Sequence, residues 1–427
     1  MRRRRLLQAA AAGPVAAVLG AVGGCAAPAR SAGPRVVVVG GGYGGATAAK
    51  YLRMWSDARF DVTLVEPNPA FVSCPLSNLV LGGSRSMADI TLSYGRLAQR
   101  HGVRIVRDTA TAIDPERQQV RLAGGAVLPY DRLVVSPGID LLWDSVPGLE
   151  LPGAAGQVLH AWKAGPQTVA LRQRLEAMPD GGVFALAIPP APYRCPPGPY
   201  ERACQVASYL QRHKPRSKVL VLDANDDITS KGSLFRKAWA DRYPGLVEYR
   251  PRQTLAGVDV AAGLLRFDLG EDVRASVLNL IPPMRAGTLA VTTGLVPAGR
   301  RWCEVDFLTQ ESRVLPRIHV LGDAIQVAPA MPKSAHMANQ HAKTCAAAIV
   351  ALLTDQPPNA LPIYHNTCYS FVSDDAAMHV ASVHRYDAAQ KTMLPVPGAG
   401  GLSAEASVQE GRYAMGWARN IWADTLA

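Results

Sequence analysis

The side chains of this 427-residue chain that are best suited to redox chemistry are its cysteines. There are seven: Cys25, Cys74, Cys195, Cys204, Cys303, Cys345 and Cys368. No Cys-x-x-Cys-His sequence occurs, so the chain has no motif for covalently bound haem. No Cys-x-x-Cys pair occurs either, so neither a zinc site nor a thioredoxin-like dithiol is predicted. Disulfides persist mainly in oxidising compartments, so the location of the protein determines whether these cysteines can form lasting disulfides.

The first 32 residues are predicted to be an export signal. Arg2 to Arg5 precede Leu6 and Leu7, and a weakly apolar stretch rich in alanine and glycine follows, a pattern that resembles a twin-arginine signal. We therefore expect a periplasmic protein. A membrane anchor is the alternative, but the apolar stretch is short and poor in leucine, isoleucine and phenylalanine. A lipoprotein with a lipidated Cys25 is a second alternative.

The composition is that of an ordinary globular protein, with 48% apolar and 19% charged residues, and the length predicts two or three domains. The formal net charge is +11, but five arginines lie in the first 32 residues, which leaves an excess of +6 in the remainder. Such an excess can steer anions or an acidic partner surface. It forms no basic stripe interleaved with aromatic residues, so nucleic acid is not predicted as a partner.

Behind the leader, a dinucleotide-binding fingerprint is predicted from features in the expected order. These are a strand at Arg35–Val39, a G-x-G-x-x-G turn at Gly40, Gly42 and Gly45, a helix from Ala46 to Leu52, and a strand at Asp61–Val65. The glycines permit a sharp turn, a close approach of a pyrophosphate and tight packing of helix on strand. The helix N-terminus supplies N–H groups to the phosphates, and Glu66 follows the second strand where it can bind ribose hydroxyls.

Two later segments favour FAD over NAD as the dinucleotide. Leu133–Gly138, with its turn at Gly138, resembles the strand and turn that close the first FAD-binding segment of two-dinucleotide flavoproteins. Arg317–Asp323 resembles their second FAD motif, in which a strand and Gly322 deliver Asp323 to the ribityl chain and the pyrophosphate. The alternative for Asp323 is an ordinary helix cap. With the N-terminal fingerprint present, the sequence predicts a bound FAD.

A second α/β unit lies between the two FAD segments, with a strand at Val183–Ile188, a helix at Tyr200–Arg212 and a strand at Val219–Leu222 that ends at Asp223. This is the layout of a nicotinamide-binding domain. Its phosphate turn, however, is the segment Pro189–Pro199, in which prolines remove backbone donors and tyrosine and arginine side chains block a close approach. We therefore expect the scaffold to be retained and NAD binding to be lost.

The C-terminal portion, from about Leu361, is predicted to be strand-rich at Tyr364–Val372 and His379–Tyr386, with a short helix at Trp417–Trp422. We expect the two tryptophans to pack in the core, with contact to the flavin or a partner as the alternative. No strongly amphipathic terminal helix for membrane insertion is predicted.

Together the elements predict an α/β fold with two dinucleotide-binding domains of the glutathione-reductase type and a C-terminal α+β interface domain. The expected boundaries are 1–32 for the signal, 33–150 and 284–355 for the two parts of the FAD domain, 151–283 for the NAD-domain-like unit, and 356–427 for the C-terminal domain.

Three short motifs carry a closer resemblance. They are Cys74–Asn78 (CPLSN), Tyr193–Ala203 (YRCPPGPYERA) and Asn366–Ser370 (NTCYS). With them, the chain from about Pro34 to its end resembles the flavoprotein subunit of flavocytochrome c sulfide dehydrogenase, and more distantly the sulfide:quinone oxidoreductases. The last two motifs are much more specific than the glycine fingerprint.

The resemblance implies that Cys195 and Cys368 are a redox-active pair that lies against the flavin and cycles between disulfide and dithiol. HS⁻ would attack one sulfur and leave a persulfide, and the other cysteine would depart as a thiolate and pass two electrons to the flavin. The sequence leaves open which cysteine carries the persulfide. A plain stabilising disulfide and two buried thiols are the structural alternatives.

The resemblance also implies that Cys74 is joined to the FAD 8-methyl carbon by a thioether; the alternative is a buried thiol in a loop. Glu201, six residues after Cys195, is a candidate proton acceptor, with an exposed first-turn glutamate as the alternative. Lys333, or the helix N-terminus beside it, is a candidate for stabilising anionic reduced flavin, with a surface residue as the alternative. No role is predicted for Cys204, Cys303 or Cys345.

Reduced flavin needs an electron acceptor, and the resemblance implies a separate c-type cytochrome subunit, since the chain has neither a usable NAD site nor a haem motif. Two other functions stay open. One is an exported sulfide:quinone oxidoreductase attached to the membrane surface. The other is a flavin-bearing accessory or electron-transfer subunit of a sulfur-oxidising complex, whose cysteine pair is structural. An NADH dehydrogenase is disfavoured by the proline-filled turn.

Overall fold

The computed structural model describes residues 33–151 and 153–427, so the predicted export signal and Cys25 lie outside the described residues. The helices of the first region are α1 (Tyr43–Trp55), α2 (Ser77–Gly82) and α3 (Gly95–His101). Its strands are β1 (Arg35–Val39), β2 (Asp61–Val65), β3 (Phe71–Val72), β4 (Thr91–Leu92), β5 (Arg104–Val106), β6 (Ala110–Asp114), β7 (Gln119–Leu122), β8 (Val127–Pro129), β9 (Arg132–Val135) and β10 (Ile139–Leu141). The predicted order of strand, glycine turn, helix and strand is confirmed.

The second region repeats the alternation of strands and helices. Its helices are α4 (Ala154–Gln157), α5 (Pro166–Ala177), α6 (Gly198–His213) and α7 (Gly232–Arg242). Its strands are β11 (Val183–Ile188), β12 (Lys218–Asp223), β13 (Val247–Arg250), β14 (Leu255–Asp259), β15 (Leu264–Phe267), β16 (Val273–Arg274) and β17 (Val277–Leu280). The apolar strands β11 and β12 are buried along almost their whole length, as expected for parallel strands covered on both faces.

The third region completes the first sheet and adds the C-terminal layer. Its helices are α8 (Thr288–Thr292), α9 (Ala335–Leu352) and α10 (Val408–Leu426). Its strands are β18 (Met284–Ala286), β19 (Ile318–Val320), β20 (Ile363–Phe371), β21 (Ala377–Asp387), β22 (Thr392–Pro395) and β23 (Gly401–Leu402). A single turn of 3₁₀ helix at Gly322–Ala324 follows β19 and places Asp323.

Two parallel sheets form the frame of the molecule. The first has the strand order β19–β9–β1–β2–β5, and the second has the order β13–β12–β11–β17. Because β19 pairs with β9, the first sheet contains strands from both predicted parts of the FAD domain. The carboxyl ends of its strands meet at one edge, where Gly40, Gly138 and Gly322 follow β1, β9 and β19. The α/β fold class is thereby confirmed, while the domain boundaries stay predictions.

The C-terminal layer is an antiparallel sheet in the order β20–β21–β22, with β23 also paired to β21. Cys368 lies on β20 opposite Val380 on β21. The terminal helix is much longer than predicted, because α10 begins at Val408, nine positions upstream of its predicted start, and continues to Leu426. The Ser407 hydroxyl accepts a hydrogen bond from the Glu410 N–H, a serine–glutamate spacing typical of a helix start. Among the described residues, no helix has both the length and the apolar character needed to cross a bilayer.

Candidate active site

One cavity lies at the carboxyl edge of the first sheet, between that sheet, the start of α6 and the C-terminal sheet. Its wall includes eight of the predicted site residues: Gly42, Cys74, Gly138, Cys195, Glu201, Gly322, Asp323 and Cys368. Four others lie outside the lining: Gly40, Gly45, Glu66 and Lys333. The structure therefore brings both candidate redox cysteines, the candidate proton acceptor and the second FAD motif to one space.

The glycine turn between β1 and α1 leaves room for a diphosphate. A side chain at Gly40, whose φ is +95°, would meet the Ser136 carbonyl oxygen at 2.3 Å. At Gly42, by contrast, an added Cβ would meet nothing within 4 Å, so the backbone is open towards the cavity at the N-terminus of α1. The Glu66 carboxylate is held at the end of β2 by the Gly41 N–H at 2.6 Å. This arrangement fits the pyrophosphate and ribose of a dinucleotide.

Asp323 and the start of α9 face the same cavity from the other side. One carboxylate oxygen of Asp323 is buried without a hydrogen-bond partner among the described residues, and burial raises the pKa of this carboxyl. A buried acceptor without a partner needs a donor, and a ribityl hydroxyl is one. Ser334 caps α9 by accepting a hydrogen bond from Met337 N, and Ala335 follows it in the cavity wall. The positive end of α9 is thus directed at the cavity, and the residues fit FAD.

Cys195 lies in a strained turn immediately before α6. Its φ is +60°, a left-handed conformation that is uncommon for residues other than glycine. The turn is fixed by hydrogen bonds from Cys195 N to the Lys333 carbonyl and from Gly198 N to the Cys195 carbonyl, both 2.9 Å long. The sulfur rests against Gly198, where an added Cβ would lie only 2.8 Å from it. The backbone of the former phosphate turn thus aims this sulfur into the cavity.

Cys368 enters the cavity from β20. Burial is the main cause that raises the pKa of the Cys195 thiol, and the nearby Cys368 and Glu201 raise it further. Burial likewise raises the pKa of the Cys368 thiol, whereas the charge of Lys231 acts in the opposite direction. All six cysteines within the described residues are free thiols in this structure. The two candidate redox sulfurs share one buried space, which the predicted pair requires.

Glu201 is buried at the start of α6, with 9% of its surface exposed. Its carboxylate accepts hydrogen bonds from Asn78 Nδ2 and from the Phe371 N–H, each at 2.8 Å. Burial raises the pKa of this carboxyl. The alternative of an exposed first-turn glutamate is therefore wrong, because the side chain faces the cavity and not the solvent.

Cys74 lies in the loop between β3 and α2 and forms part of the cavity wall. The guanidinium of Arg194 lies beside it, with Nη2 3.6 Å from the Cys74 sulfur. The same guanidinium donates a hydrogen bond to the Trp162 carbonyl, and the Trp162 indole donates one to the Arg194 carbonyl. The Cys74 sulfur thus lies between the cavity and a guanidinium whose place is fixed by the Trp162 backbone.

Three family models match parts of the chain. They are the central part of the sulfide dehydrogenase [flavocytochrome c] flavoprotein chain at residues 168–282, the flavin-binding part of flavocytochrome c sulphide dehydrogenase at 360–426, and pyridine nucleotide-disulphide oxidoreductase at 34–178. The sulfide dehydrogenase [flavocytochrome c] flavoprotein chain of Chlorobaculum thiosulfatiphilum is 67% identical over 46 residues, which cover 94% of that sequence and 11% of this chain. The chain belongs to the flavocytochrome c sulfide dehydrogenase flavoprotein family.

The chain is also similar in sequence and in fold to sulfide:quinone oxidoreductases. The mitochondrial sulfide:quinone oxidoreductase of Dictyostelium discoideum is 26% identical over 303 residues, which cover 68% of this chain and 65% of that protein, just under two thirds. The sulfide:quinone oxidoreductase structure from Aquifex aeolicus superposes with a TM-score of 0.75 and 17% identity, covering 92% of this chain and 91% of the other. At that identity the structure establishes a shared fold.

The structure places Lys333 differently from the prediction. Its ammonium group donates to the carbonyls of Asp323 and Ile325 at 3.0 and 2.6 Å and lies 3.6 Å from the centre of the Trp302 ring. Burial lowers the pKa of Lys333 to about 7. The side chain is neither at the surface nor in the cavity lining. It supports the Asp323 turn, and the N-terminus of α9 is the positive element that reaches the cavity.

Several residues in or beside the cavity were missed by the sequence reasoning or assigned to the core. Trp417 lines the cavity, although core packing was expected for it. Arg202 is buried and donates to the His160 and Ala161 carbonyls and to Asn279 Oδ1. Lys231, at the N-terminus of α7, donates to the carbonyl of Cys368. Arg202 stands inside a quoted family motif, which could have revealed it, whereas Lys231 stands in no recognisable motif.

The expected loss of NAD binding has a structural counterpart in the second sheet. Asp223, the acid at the end of β12 that would hold the adenosine ribose of NAD, is fully buried. Its Oδ2 accepts hydrogen bonds from the hydroxyls of Tyr200 and Tyr249 at 2.7 and 3.0 Å. The carboxylate of Asp223 is thus already bound by two tyrosine hydroxyls of the chain itself.

Proposed function

We propose that this chain is the sulfide-oxidising flavoprotein subunit of a flavocytochrome c sulfide dehydrogenase and works in the periplasm. The observation that carries the proposal is the convergence of Cys195, Cys368 and Glu201 on a cavity whose other residues suit FAD. Two cysteine sulfurs in one cavity can form a disulfide, and a small sulfur nucleophile can attack that disulfide. The family membership supports sulfide as that nucleophile.

The first step is a thiol–disulfide exchange. HS⁻ attacks the sulfur of one cysteine, a new S–S bond forms there, and the Cys195–Cys368 bond breaks, which leaves one cysteine as a persulfide and the other as a thiolate. Where H₂S enters, the Glu201 carboxylate accepts its proton. A second HS⁻ then attacks the outer sulfur of the persulfide and leaves with it as HSS⁻ and a proton, which frees that cysteine as a thiolate. The two cysteine sulfurs re-form their bond and release two electrons, so overall two HS⁻ become HSS⁻, a proton and two electrons. FAD supplies the acceptor for those two electrons and can pass them on singly.

The test is the rate at which sulfide bleaches the flavin of the purified holoprotein under anaerobic conditions. Cys195→Ser and Cys368→Ser are each expected to slow bleaching by about 10³-fold or more, because neither variant can form the disulfide. Cys345→Ala is the matched control, since this thiol is fully buried in α9 away from the cavity. Bleaching at the wild-type rate in either serine variant would contradict the proposal and favour a structural cysteine pair.

We also infer that Cys74 holds FAD through a thioether. Its place in the cavity wall and the neighbouring Arg194 guanidinium support this. Intact mass under denaturing conditions is expected to exceed the mass of the polypeptide by one FAD, and this increment is lost in Cys74→Ser. Cys303→Ser, a buried thiol elsewhere, is the control. A wild-type mass equal to the bare polypeptide would exclude the covalent bond while leaving the cysteine-pair proposal intact.

The acceptor we propose is a c-type cytochrome subunit, which the family name supports. A quinone is the second candidate, because the chain is similar over 303 residues to a sulfide:quinone oxidoreductase. The two are separated by steady-state turnover with sulfide and either a water-soluble cytochrome c or a short-chain quinone. Turnover with the cytochrome and none with the quinone is expected, and the reverse result would favour the second candidate.

A further inference from the structure

Lys231 is a buried lysine that the proposed reaction does not yet use. It lies between β12 and α7 with a φ of +59° and only 4% of its surface exposed. Its ammonium donates hydrogen bonds to the Cys368 carbonyl and to Ser370 Oγ, both at 2.8 Å. No carboxylate of residues 33–151 and 153–427 forms an ion pair with it. Burying an unpaired ammonium is costly, so its retention beside a redox cysteine calls for a reason.

The ionisable groups that interact with this lysine include both reacting cysteines. Burial lowers the pKa of Lys231, and the groups that act in the opposite direction and favour its charged form are Cys368 on β20, Glu201 on α6, Cys195 in the turn before α6, and Glu410 on α10. Arg194 is the other cation that acts on Cys195, from the Cys74 side of the cavity. Lys231 acts on both redox thiols and on Glu201, and in each case its charge lowers a pKa that burial raises.

We propose that Lys231 is a positioning residue of the redox site, which fixes the Cys368 backbone and supplies the positive charge that stabilises the thiolate released when the disulfide opens. This inference rests on the proposed function. In the exchange, HS⁻ and the disulfide become a persulfide and a thiolate, so one negative charge moves onto a buried cysteine sulfur. A fixed ammonium provides a counter-charge without reorganisation of solvent.

A purely structural role is the competing explanation, because the same two hydrogen bonds also tie α7 to β20. Variants with and without a positive charge at position 231 distinguish the two roles. Lys231→Arg keeps the positive charge, Lys231→Gln keeps a hydrogen-bond donor without the charge, and Lys231→Met keeps only the length of the side chain. Lys237→Met is the control on the same helix, since this lysine is exposed and pairs with Asp241 at 2.6 Å.

The experiment measures the alkylation rate of Cys195 and Cys368 by iodoacetamide in the dithionite-reduced holoprotein, without sulfide, as a function of pH. Peptide mass analysis assigns the label to each cysteine. Lys231→Gln and Lys231→Met are expected to move the midpoint of the profile up by about one pH unit, a tenfold slower reaction near neutral pH. Lys231→Arg and Lys237→Met are expected to stay within about threefold of the wild type.

An unchanged midpoint in Lys231→Gln, or in Lys231→Met when the glutamine variant does not fold, overturns the inference and leaves a structural tie. An equal upward shift in Lys231→Arg also overturns it, because the charge would then not be the cause. Alkylation needs no sulfide oxidation, so the result does not depend on the proposed function. A shifted profile in a protein that never oxidises sulfide would refute the function and leave the electrostatic role of Lys231 standing.

Discussion

Glu201→Gln removes a carboxylate beside the redox thiols while changing the volume of the side chain little. In the native structure both carboxylate oxygens accept hydrogen bonds, from Asn78 Nδ2 and from the Phe371 N–H, at 2.8 Å each. Because both partners are donors, the glutamine NH₂ group must face one of them, and that bond is lost. The Asn78 amide cannot turn round in response without losing its bonds to Arg202 and Gly198. An unpaired buried donor costs about 1–3 kcal/mol of unfolding free energy.

The effect of Glu201→Gln on the reaction should be larger and should depend on pH. A positioned proton acceptor contributes about 10²–10⁴-fold to a rate, so we expect flavin reduction by sulfide to slow by up to about 100-fold at mildly acidic pH, where sulfide enters mainly as H₂S. Burial raises the pKa of Glu201, so the wild-type rate falls as the pH drops through that raised value and the carboxylate is lost. At alkaline pH sulfide enters as HS⁻ and needs no acceptor, so the difference between variant and wild type should narrow.

The assay is anaerobic stopped-flow absorbance of the flavin at saturating sulfide across the accessible pH range, with urea unfolding to measure stability. Glu116→Gln is the control, because Glu116 is exposed in the turn between β6 and β7. Two results would refute the reasoning. One is a variant with wild-type rates at every pH, and the other is a loss of rate that is the same at every pH, which would indicate disturbed packing.

Three further predictions follow from the cavity. Gly198→Ala places a Cβ 2.8 Å from the Cys195 sulfur, so we expect sulfide bleaching to slow at least about tenfold with unchanged circular dichroism, and an unchanged rate would contradict this. Asp323→Ala in the Cys74→Ser background removes the buried unpartnered acceptor from a chain that lacks the thioether, and the flavin-to-protein absorbance ratio should fall below that of Cys74→Ser alone; an equal ratio would refute its cofactor role. Burial lowers the pKa of Lys333 from 10.5 to about 7 in the folded chain, so the unfolded chain binds more protons between these values. The unfolding free energy from urea denaturation should therefore rise with pH across that window, and Lys333→Met should flatten the rise; identical slopes would contradict this.

Local patterns in the sequence were sufficient for the first sheet and its glycine turn. The strands at Arg35–Val39 and Asp61–Val65 are short apolar runs bounded by turn residues, and the positive φ of Gly40 is a property of its own backbone. The length of α10 was missed although a signal existed, because the Ser407–Glu410 spacing marks a helix start that the tryptophan-rich end obscured. In each of these cases the deciding interactions lie within a few residues.

The environment of the site could not be read from the sequence in the same way. Glu201 looked as likely to be exposed as buried, since its burial depends on Asn78 and Phe371 from distant parts of the chain. Lys333 was expected to face the flavin, but carbonyls of the preceding turn hold its ammonium away from the cavity. Lys231 could not be found at all, because it meets Cys368 only through tertiary packing. The burial and the electrostatic environment of these residues depend on tertiary contacts, which local sequence patterns do not show.

The central claim is that Cys195 and Cys368 form one redox couple that carries sulfur. It is tested most directly by peptide mass mapping of the oxidised holoprotein before and after one equivalent of sulfide, with anaerobic alkylation of all free thiols. We predict a peptide pair linked through these two cysteines before sulfide, and afterwards one extra sulfur atom on one of them with alkylation of the other. Two cysteines that are equally alkylated before and after sulfide, while the flavin still bleaches, would contradict the account.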